Sequence, residues 1–198
     1  MNLATTLPAR SRQEELGQFL TAAPLADFMV SLFGPCPKTL RLLDPGAGAG
    51  ALTAAFVSRV CEQKDNVDAV DVTLYELDPE ILDALSATMH ECHCNCEAAG
   101  IRFSFKIHSG DFIQEMAANL AGDLFSKLPP VFDAAIANPP YRKIKTDSAE
   151  RLALRSIGIE TSNLYTGFIS LIHRLLVPGG QLVGITPRSF CNGPYFRP

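Results

Sequence analysis

The sequence predicts an α/β fold, a doubly wound and mainly parallel sheet with helices on both faces. Two observations carry that prediction. Between residues 39 and 186, apolar or β-branched runs of strand length alternate with stretches of helical periodicity, which is the pattern of β–α–β units. Each apolar run also stops at a cluster of Gly, Pro or acidic residues, as strands do where they feed a loop. With 198 residues, 47% hydrophobic and 19% charged, the chain suits one such domain with a small appendage. No internal repeat of solenoid length is present, and the apolar fraction excludes a disordered, collagenous or coiled-coil chain.

Residues 12–33 read as a helical lead-in. Pro24 suits a first turn, Leu25, Phe28, Met29 and Leu32 recur at helical spacing, and Pro35 and Pro37 end the segment. Thr39–Leu43 is a short apolar strand that runs into Asp44-Pro45-Gly46-Ala47-Gly48-Ala49-Gly50, followed by an Ala-rich helix to Val60. Val70–Tyr75 is a second strand ending in Glu76-Leu77-Asp78-Pro79, and Ile81, Leu82, Leu85 and Met89 then mark a helical face. Ile101–His108 alternates apolar and polar residues up to Ser109-Gly110-Asp111, with a helical segment following as far as Lys127. Phe132–Ala137 reads as a buried strand closed by Asn138-Pro139-Pro140-Tyr141. After a basic loop, Asn163–Val177 reads as a helix, Pro178-Gly179-Gly180 as its stop and Gln181–Thr186 as a fifth strand. In parallel sheets of this kind ligands bind outside the carboxyl ends of the strands, which is where these polar signatures fall.

The N-terminus lacks the apolar core of a signal peptide, and no apolar stretch has the length of a membrane span, so a cytoplasmic protein with no membrane association is expected. The six Cys are expected as thiols. The net charge of −4 hides an asymmetry: residues 62–123 carry 13 Asp or Glu against 3 Lys or Arg, and the remainder 8 against 14. Local fields rather than totals steer polyanions, so mild acidity does not exclude nucleic acid.

The spacing Gly46-x-Gly48-x-Gly50 is that of a tight turn in which backbone approaches a ligand just before a helix N-terminus. It differs from the G-x-G-x-x-G dinucleotide spacing and lacks the Gly-Lys-Ser/Thr of a P-loop; a plain packing turn is the alternative. Glu76 ends the second strand, where a carboxylate can accept both hydroxyls of a ribose. Asp111 ends the third, where it can accept from an adenine amino group while Phe112 packs on the ring. Taken singly, each acid is equally a strand-end cap or a solvated charge. Together these features resemble the Rossmann-like S-adenosylmethionine-dependent methyltransferases. The resemblance implies S-adenosylmethionine as cofactor and S-adenosylhomocysteine as product, with Asp44, Gly46 and Gly48 at the methionine portion, Glu76 at the ribose, Asp111 with Phe112 at the adenine, and Ala47 and Leu77 as further cofactor contacts.

Asn138-Pro139-Pro140-Tyr141 is the sharpest motif. A rigid Pro-Pro turn with a packed Tyr is the structural alternative. An exocyclic amine on a base is a poor nucleophile because its lone pair is delocalised into the ring. Acceptors against its two N–H groups, the Asn138 side-chain oxygen and the Pro139 carbonyl, favour a pyramidal nitrogen whose lone pair points at the methyl group, and the prolines fix that carbonyl without adding donors. Tyr141 offers a face on which a flipped-out base can stack. Arg142, Lys143, Lys145, Arg151 and Arg155 follow, suited either to phosphate contacts or to a solvated helix face.

The wider resemblance is to N6-adenine-specific DNA methyltransferases of bacterial restriction-modification systems. Leu16-Gly17-Gln18-Phe19-Leu20-Thr21 is similar to the family's element that closes over the methionine end of the cofactor, with Ala22 where the family usually has Pro. Asn163-Leu-Tyr-Thr-Gly-Phe168 and Gly184-Ile-Thr-Pro-Arg-Ser-Phe190 resemble later family elements. The resemblance therefore spans about residues 13–190, and it implies Phe19 and Thr21 as cofactor contacts and double-stranded DNA as partner. Residues 1–37 are then a lead-in closing over the cofactor and 38–198 a catalytic core. The family continues into further strands and a separate target-recognition region carrying most of the DNA contacts, and these are expected to be missing here. Protein glutamine N5-methylation of the release-factor type, RNA guanine-N2 methylation and a non-catalytic cofactor-binding domain are the rival readings.

His90, Cys92, His93, Cys94 and Cys96 invite a zinc site, but their spacing lacks a C-x-x-C pair and a second ligand pair, so a thiol-rich helix end and no metal are expected. Gly34-Pro35-Cys36 resembles the Pro-Cys nucleophile of cytosine-ring methylation but precedes the cofactor loop, so Cys36 is expected to be structural. The sequence carries no signal for oligomeric state.

Overall fold

The computed structural model describes residues 21–63, 67–122 and 131–188. Five strands, β1 (Thr39–Pro45), β2 (Ala69–Glu76), β3 (Arg102–Ser109), β4 (Phe132–Ala137) and β5 (Leu176–Gly184), form one sheet in the order β3-β2-β1-β4-β5. Every pairing is parallel. The order of strands reverses between β1 and β4, the switch point at which the loops of a doubly wound sheet part and leave a crevice.

The strands alternate their side chains between two cores, as the two-residue period requires. Leu40 and Leu42 of β1, Val70, Val72 and Leu74 of β2 and Ile136 of β4 pack with α1 (Ala23–Ser31), α2 (Ala51–Gln63) and α3 (Leu82–Ala98). Leu43, Tyr75, Ala135 and Ala137 face the other way, onto α4 (Phe112–Leu120), α5 (Ala149–Ser156) and α6 (Leu164–Leu175). β1 is buried on both faces from Leu42 onward, which is why Leu42 and Leu43 are apolar in succession rather than alternating with polar residues. Where β1 meets β4, the Asp133 carboxylate accepts from the Arg41 backbone N–H (2.8 Å), Nε and Nη2 (both 2.9 Å). The guanidinium holds the Asp133 carboxyl below the usual carboxylate range.

Three boundaries differ from the sequence expectation. The last helix stops at Leu175 rather than Val177, because Leu176 already pairs with Phe132; the register then shifts before Gln181 pairs with Ala134. Pro178-Gly179-Gly180 is thus the irregular part of β5 and not the helix stop, Pro having no N–H for the ladder. The basic loop contains a helix, α5, whose first turn is capped by the Ser148 hydroxyl accepting from Arg151 N. The lead-in is described only from residue 21, with α1 as its helix, and α4 ends at Leu120 with Ala121 as its C-cap, short of the expected Lys127.

The cysteine-rich segment lies on α3. Cys92 and Cys96 point into the core, His90 and His93 lie edge-on to Phe105 and Phe103, and Cys94 is exposed. Among the described residues no group of side chains could hold a metal ion. Burial pushes the Cys92 thiol up to about 11 and the Cys96 thiol to about 12, so neither supplies thiolate at neutral pH. In a maleimide time course read by peptide mass spectrometry, Cys94 is expected to label first, with Cys92 and Cys96 labelled only on unfolding. Early labelling of Cys96 would contradict this packing. Cys36 is partly buried against the same core, and no described helix is long and apolar enough to cross a membrane.

Candidate active site at the strand ends

The four motifs that follow β1, β2, β3 and β4 converge on one cavity of about 1130 Å³, measured out to open solvent. Its floor is the Gly-rich turn. Gly46 and Ala47 donate backbone N–H bonds to the Tyr75 carbonyl at 2.8 and 2.9 Å, so the turn is tied to the end of β2. Gly48 (φ +55°) has open space where a Cβ would project, leaving its backbone accessible from the cavity. Gly50 (φ +87°) serves packing instead: a Cβ there would stand 2.9 Å from Leu85 Cδ1 of α3.

Glu76 lines the cavity and is 2% exposed. Its Oε2 accepts from Gly48 N at 2.8 Å and its Oε1 from Asp78 N at 2.7 Å. The carboxylate therefore organises the loop as well as facing the cavity. Leu77 and Ile81 add apolar wall beside it. Asp111 is the N-cap of α4, accepting from Gln114 N at 3.0 Å, and also lines the cavity. The cap is thus observed, on a side chain that also borders the cavity. Phe112 lies with its ring centroid 5.2 Å from those of Tyr75 and Phe168, and all three rings border the cavity.

Asp44 stands apart. It is fully buried beneath the turn and does not reach the cavity wall; its Oδ2 accepts from the Thr53 hydroxyl at 2.7 Å while Oδ1 has no hydrogen-bond partner among the described residues. Burial pushes its carboxyl up to about 7; the nearby Glu76 charge adds to that rise, and the Thr53 bond opposes it. In the unfolded chain the group titrates at the ordinary carboxylate value, so between that value and about 7 folding takes up a proton. Its contribution to stability consequently falls as pH rises through that window and is level above it. Thermal unfolding at pH 5 and pH 8 is expected to show a smaller pH difference in Asp44→Asn than in the parent. Equal differences would refute the assignment.

At the end of β4, Asn138, Pro140 and Arg142 touch the cavity, whereas Pro139 is buried and Tyr141 stands half-buried beside it. The Asn138 carboxamide donates from Nδ2 to Thr21 Oγ1 at 3.2 Å, and its Oδ1 accepts from the Tyr141 hydroxyl at 3.1 Å. Burial raises the Tyr141 hydroxyl above its ordinary value, which keeps it a donor. The Tyr141 and Tyr165 rings lie 6.4 Å apart.

The basic run divides. Arg142 pairs with Glu150 at 2.7 Å, and Arg151 and Arg155 pair with Glu160 at 3.4 and 2.7 Å. Lys143 and Lys145 are exposed and carry no ion pair among the described residues. Phe19 lies outside the described residues. Sequence reasoning did not place Tyr75, Leu164 and Phe168 in the cavity wall, since their spacing reads as ordinary strand and helix core.

Comparison with known proteins gives a consistent picture. A family model described as Eco57I restriction-modification methylase matches residues 94–198. The type II methyltransferase M.PstI of Providencia stuartii is 38% identical over 185 residues, covering 93% of this chain and 36% of its own length. The type II methyltransferase M.BsuBI of Bacillus subtilis is 40% identical over 196 residues, covering 98% and 38%. The chain thus spans little more than a third of either relative. Among solved structures, one from Listeria monocytogenes described as a class I S-adenosylmethionine-dependent methyltransferase superposes with TM-score 0.57 at 16% identity, over 93% of this chain and 53% of that one. A type I restriction-modification methyltransferase subunit from Streptococcus thermophilus gives 0.52 at 21%, over 84% and 34%. At such identities these two structures speak to the fold, which is the Rossmann-like methyltransferase architecture.

Proposed function

Since the chain belongs to the Eco57I restriction-modification methylase family, we propose that it forms the cofactor-binding and catalytic core of an enzyme that methylates the N6 amino group of adenine in double-stranded DNA, using S-adenosylmethionine. Residues 38–198 constitute that core, with 1–37 as the lead-in that closes over the cofactor, and the enzyme acts in the cytoplasm. The observation that carries the reading is that the Asn138 carboxamide opens on the same cavity as Gly48, Glu76 and Asp111.

The cavity suits a nucleoside with a charged tail. Glu76 offers acceptors for ribose hydroxyls, Asp111 an acceptor for an amino group, Leu77 and Phe112 apolar faces for a base, and the turn at Gly48 an exposed backbone. When bound, S-adenosylmethionine supplies an electrophilic methyl group on a sulfonium, so direct displacement needs no covalent enzyme intermediate. The chain's own task is alignment and exclusion of water. Asn138 Oδ1 and the Pro139 carbonyl accept from the two N–H groups of the target amine, which localises the nitrogen lone pair. Tyr141 stacks on the flipped-out base, an interaction of roughly 1–3 kcal/mol. Lys143 and Lys145, exposed beside this site, suit phosphates flanking the flipped nucleotide.

Tritiated methyl transfer by the full-length protein to DNA, to release factor and to RNA tests the substrate. Label on N6 of adenine in DNA is expected. Label confined to protein or RNA would overturn the DNA assignment, and calorimetry showing no binding of S-adenosylmethionine would overturn the cofactor.

A further inference from the structure

The Thr21 hydroxyl accepts from Asn138 Nδ2 at 3.2 Å although the two residues are 117 positions apart. On the opposite side of the same carboxamide the Tyr141 hydroxyl donates to Oδ1 at 3.1 Å. An asparagine amide is nearly symmetric in shape, and its two orientations present opposite chemistry to a ligand: one offers an acceptor, the other a donor. Two hydroxyls alone do not choose between them, since each can donate or accept. Their acidities do. A phenol is the better donor, because its oxygen lone pair is delocalised into the ring, and an aliphatic hydroxyl is the better acceptor. The favoured arrangement therefore sets the phenol of Tyr141 against Oδ1 and the alcohol of Thr21 against Nδ2, as observed. Thr21 precedes α1, itself packed on α2, and it borders the cavity together with Asn138.

We propose that Thr21 is a positioning residue for the transfer step: its hydroxyl, acting with that of Tyr141, holds the Asn138 carboxamide so that Oδ1 remains an acceptor for the target amine. This rests on the methyl-transfer reading above and goes beyond it. It gives the N-terminal segment a role in setting the catalytic amide, separate from any contact with the cofactor.

The test uses the full-length protein with Thr21→Val, which keeps the branched shape and removes the hydroxyl, and Thr21→Ser, which keeps the hydroxyl. Val is expected to lower kcat for DNA methylation by on the order of tenfold, as loss of one hydrogen bond implies. The KM for DNA is expected to change far less, any loss of S-adenosylmethionine affinity from the cofactor contact that the family resemblance gives Thr21 is expected to stay smaller than the loss of kcat, and Ser is expected to recover most of the rate. Unchanged kcat in Val, equal losses in Val and Ser, or a loss confined to cofactor affinity would each overturn the proposal. A second readout does not depend on turnover. In protein labelled with ¹⁵N-asparagine, the Asn138 side-chain resonances, identified by their absence in Asn138→Asp, are expected to move in Val and to stay in Ser. Resonances that stay in Val refute the positioning role. Failure of the parent protein to methylate DNA would instead overturn the functional reading, leaving the resonances to decide the role of Thr21.

Discussion

Asn138→Ala is expected to lower methyl transfer at least about a thousandfold while S-adenosylmethionine binds with nearly parental affinity. Removing a single preorganised transition-state contact in other enzymes lowers kcat by roughly 10²–10³, and here the truncation also takes away the group that Thr21 and Tyr141 hold. Two neighbouring hydroxyls are then left without their shared partner, and the Pro139 carbonyl remains as the lone acceptor for the amine. Cofactor affinity is expected to survive because Glu76 ends β2 and Gly48 and Asp111 lie on the loops after β1 and β3, whereas Asn138 lies on the loop after β4. Single-turnover methylation paired with calorimetric titration checks both halves. A large loss of cofactor affinity would show that Asn138 supports the cofactor rather than the target amine, and near-parental transfer would remove it from the catalytic set.

Glu76→Ala is expected to weaken S-adenosylmethionine binding by about a hundredfold, equivalent to ~3 kcal/mol. Two losses combine. The proposed acceptor for the ribose hydroxyls goes, and so does the carboxylate that receives Gly48 N and Asp78 N. Those N–H groups sit at the mouth of the turn, so the turn loses its anchor to β2 on that side, although the bonds from Gly46 and Ala47 to the Tyr75 carbonyl persist. Glu76→Gln separates the two contributions. Its carbonyl oxygen can still accept one of the N–H bonds, whereas its amide cannot accept the other. Gln is therefore expected to fall between the parent and Ala, with the affinity read by calorimetry and the turn by amide hydrogen exchange at Gly48. Equal affinity in all three proteins would exclude Glu76 from cofactor binding.

Much of the site was legible in the sequence because a strand feeding a loop is a local event. The apolar run before Asp44 and the glycines after it, the β-branched run before Glu76, and the buried run before Asn138 each announce their own strand end, and parallel strands in one sheet bring their carboxyl ends to one side. The placing of Asp111 is also local, since a residue that borders the cavity at the start of α4 is equally placed to cap that helix. The end of the last helix was misread for a local reason as well. Apolar periodicity continues through Leu176 and Val177, and only pairing with Phe132 draws Leu176 into the sheet. Helix α5 was legible only as one of two readings of the basic run, a solvated helix face, because its single fully buried leucine, Leu154, leaves little apolar periodicity.

By itself the sequence determined the alternation of strands and helices, the four strand-end motifs and the resemblance to amino-group methyltransferases. Tertiary structure alone decided which motifs touch. The placing of β4 beside β1 brings the Asn138 motif to the Gly-rich turn; Glu76 reaches across 28 positions to Gly48, and Thr21 across 117 to Asn138. It also decided that Asp44, at the head of the glycine motif, is sealed beneath the turn with a raised pKa while its neighbours face the cavity. The physical reason is one of range. Periodicity and turn chemistry act over a few residues, whereas strand order, burial from both faces of the sheet and hydrogen bonds between distant side chains are properties of the packed whole, in which each contact exists only once the others have formed.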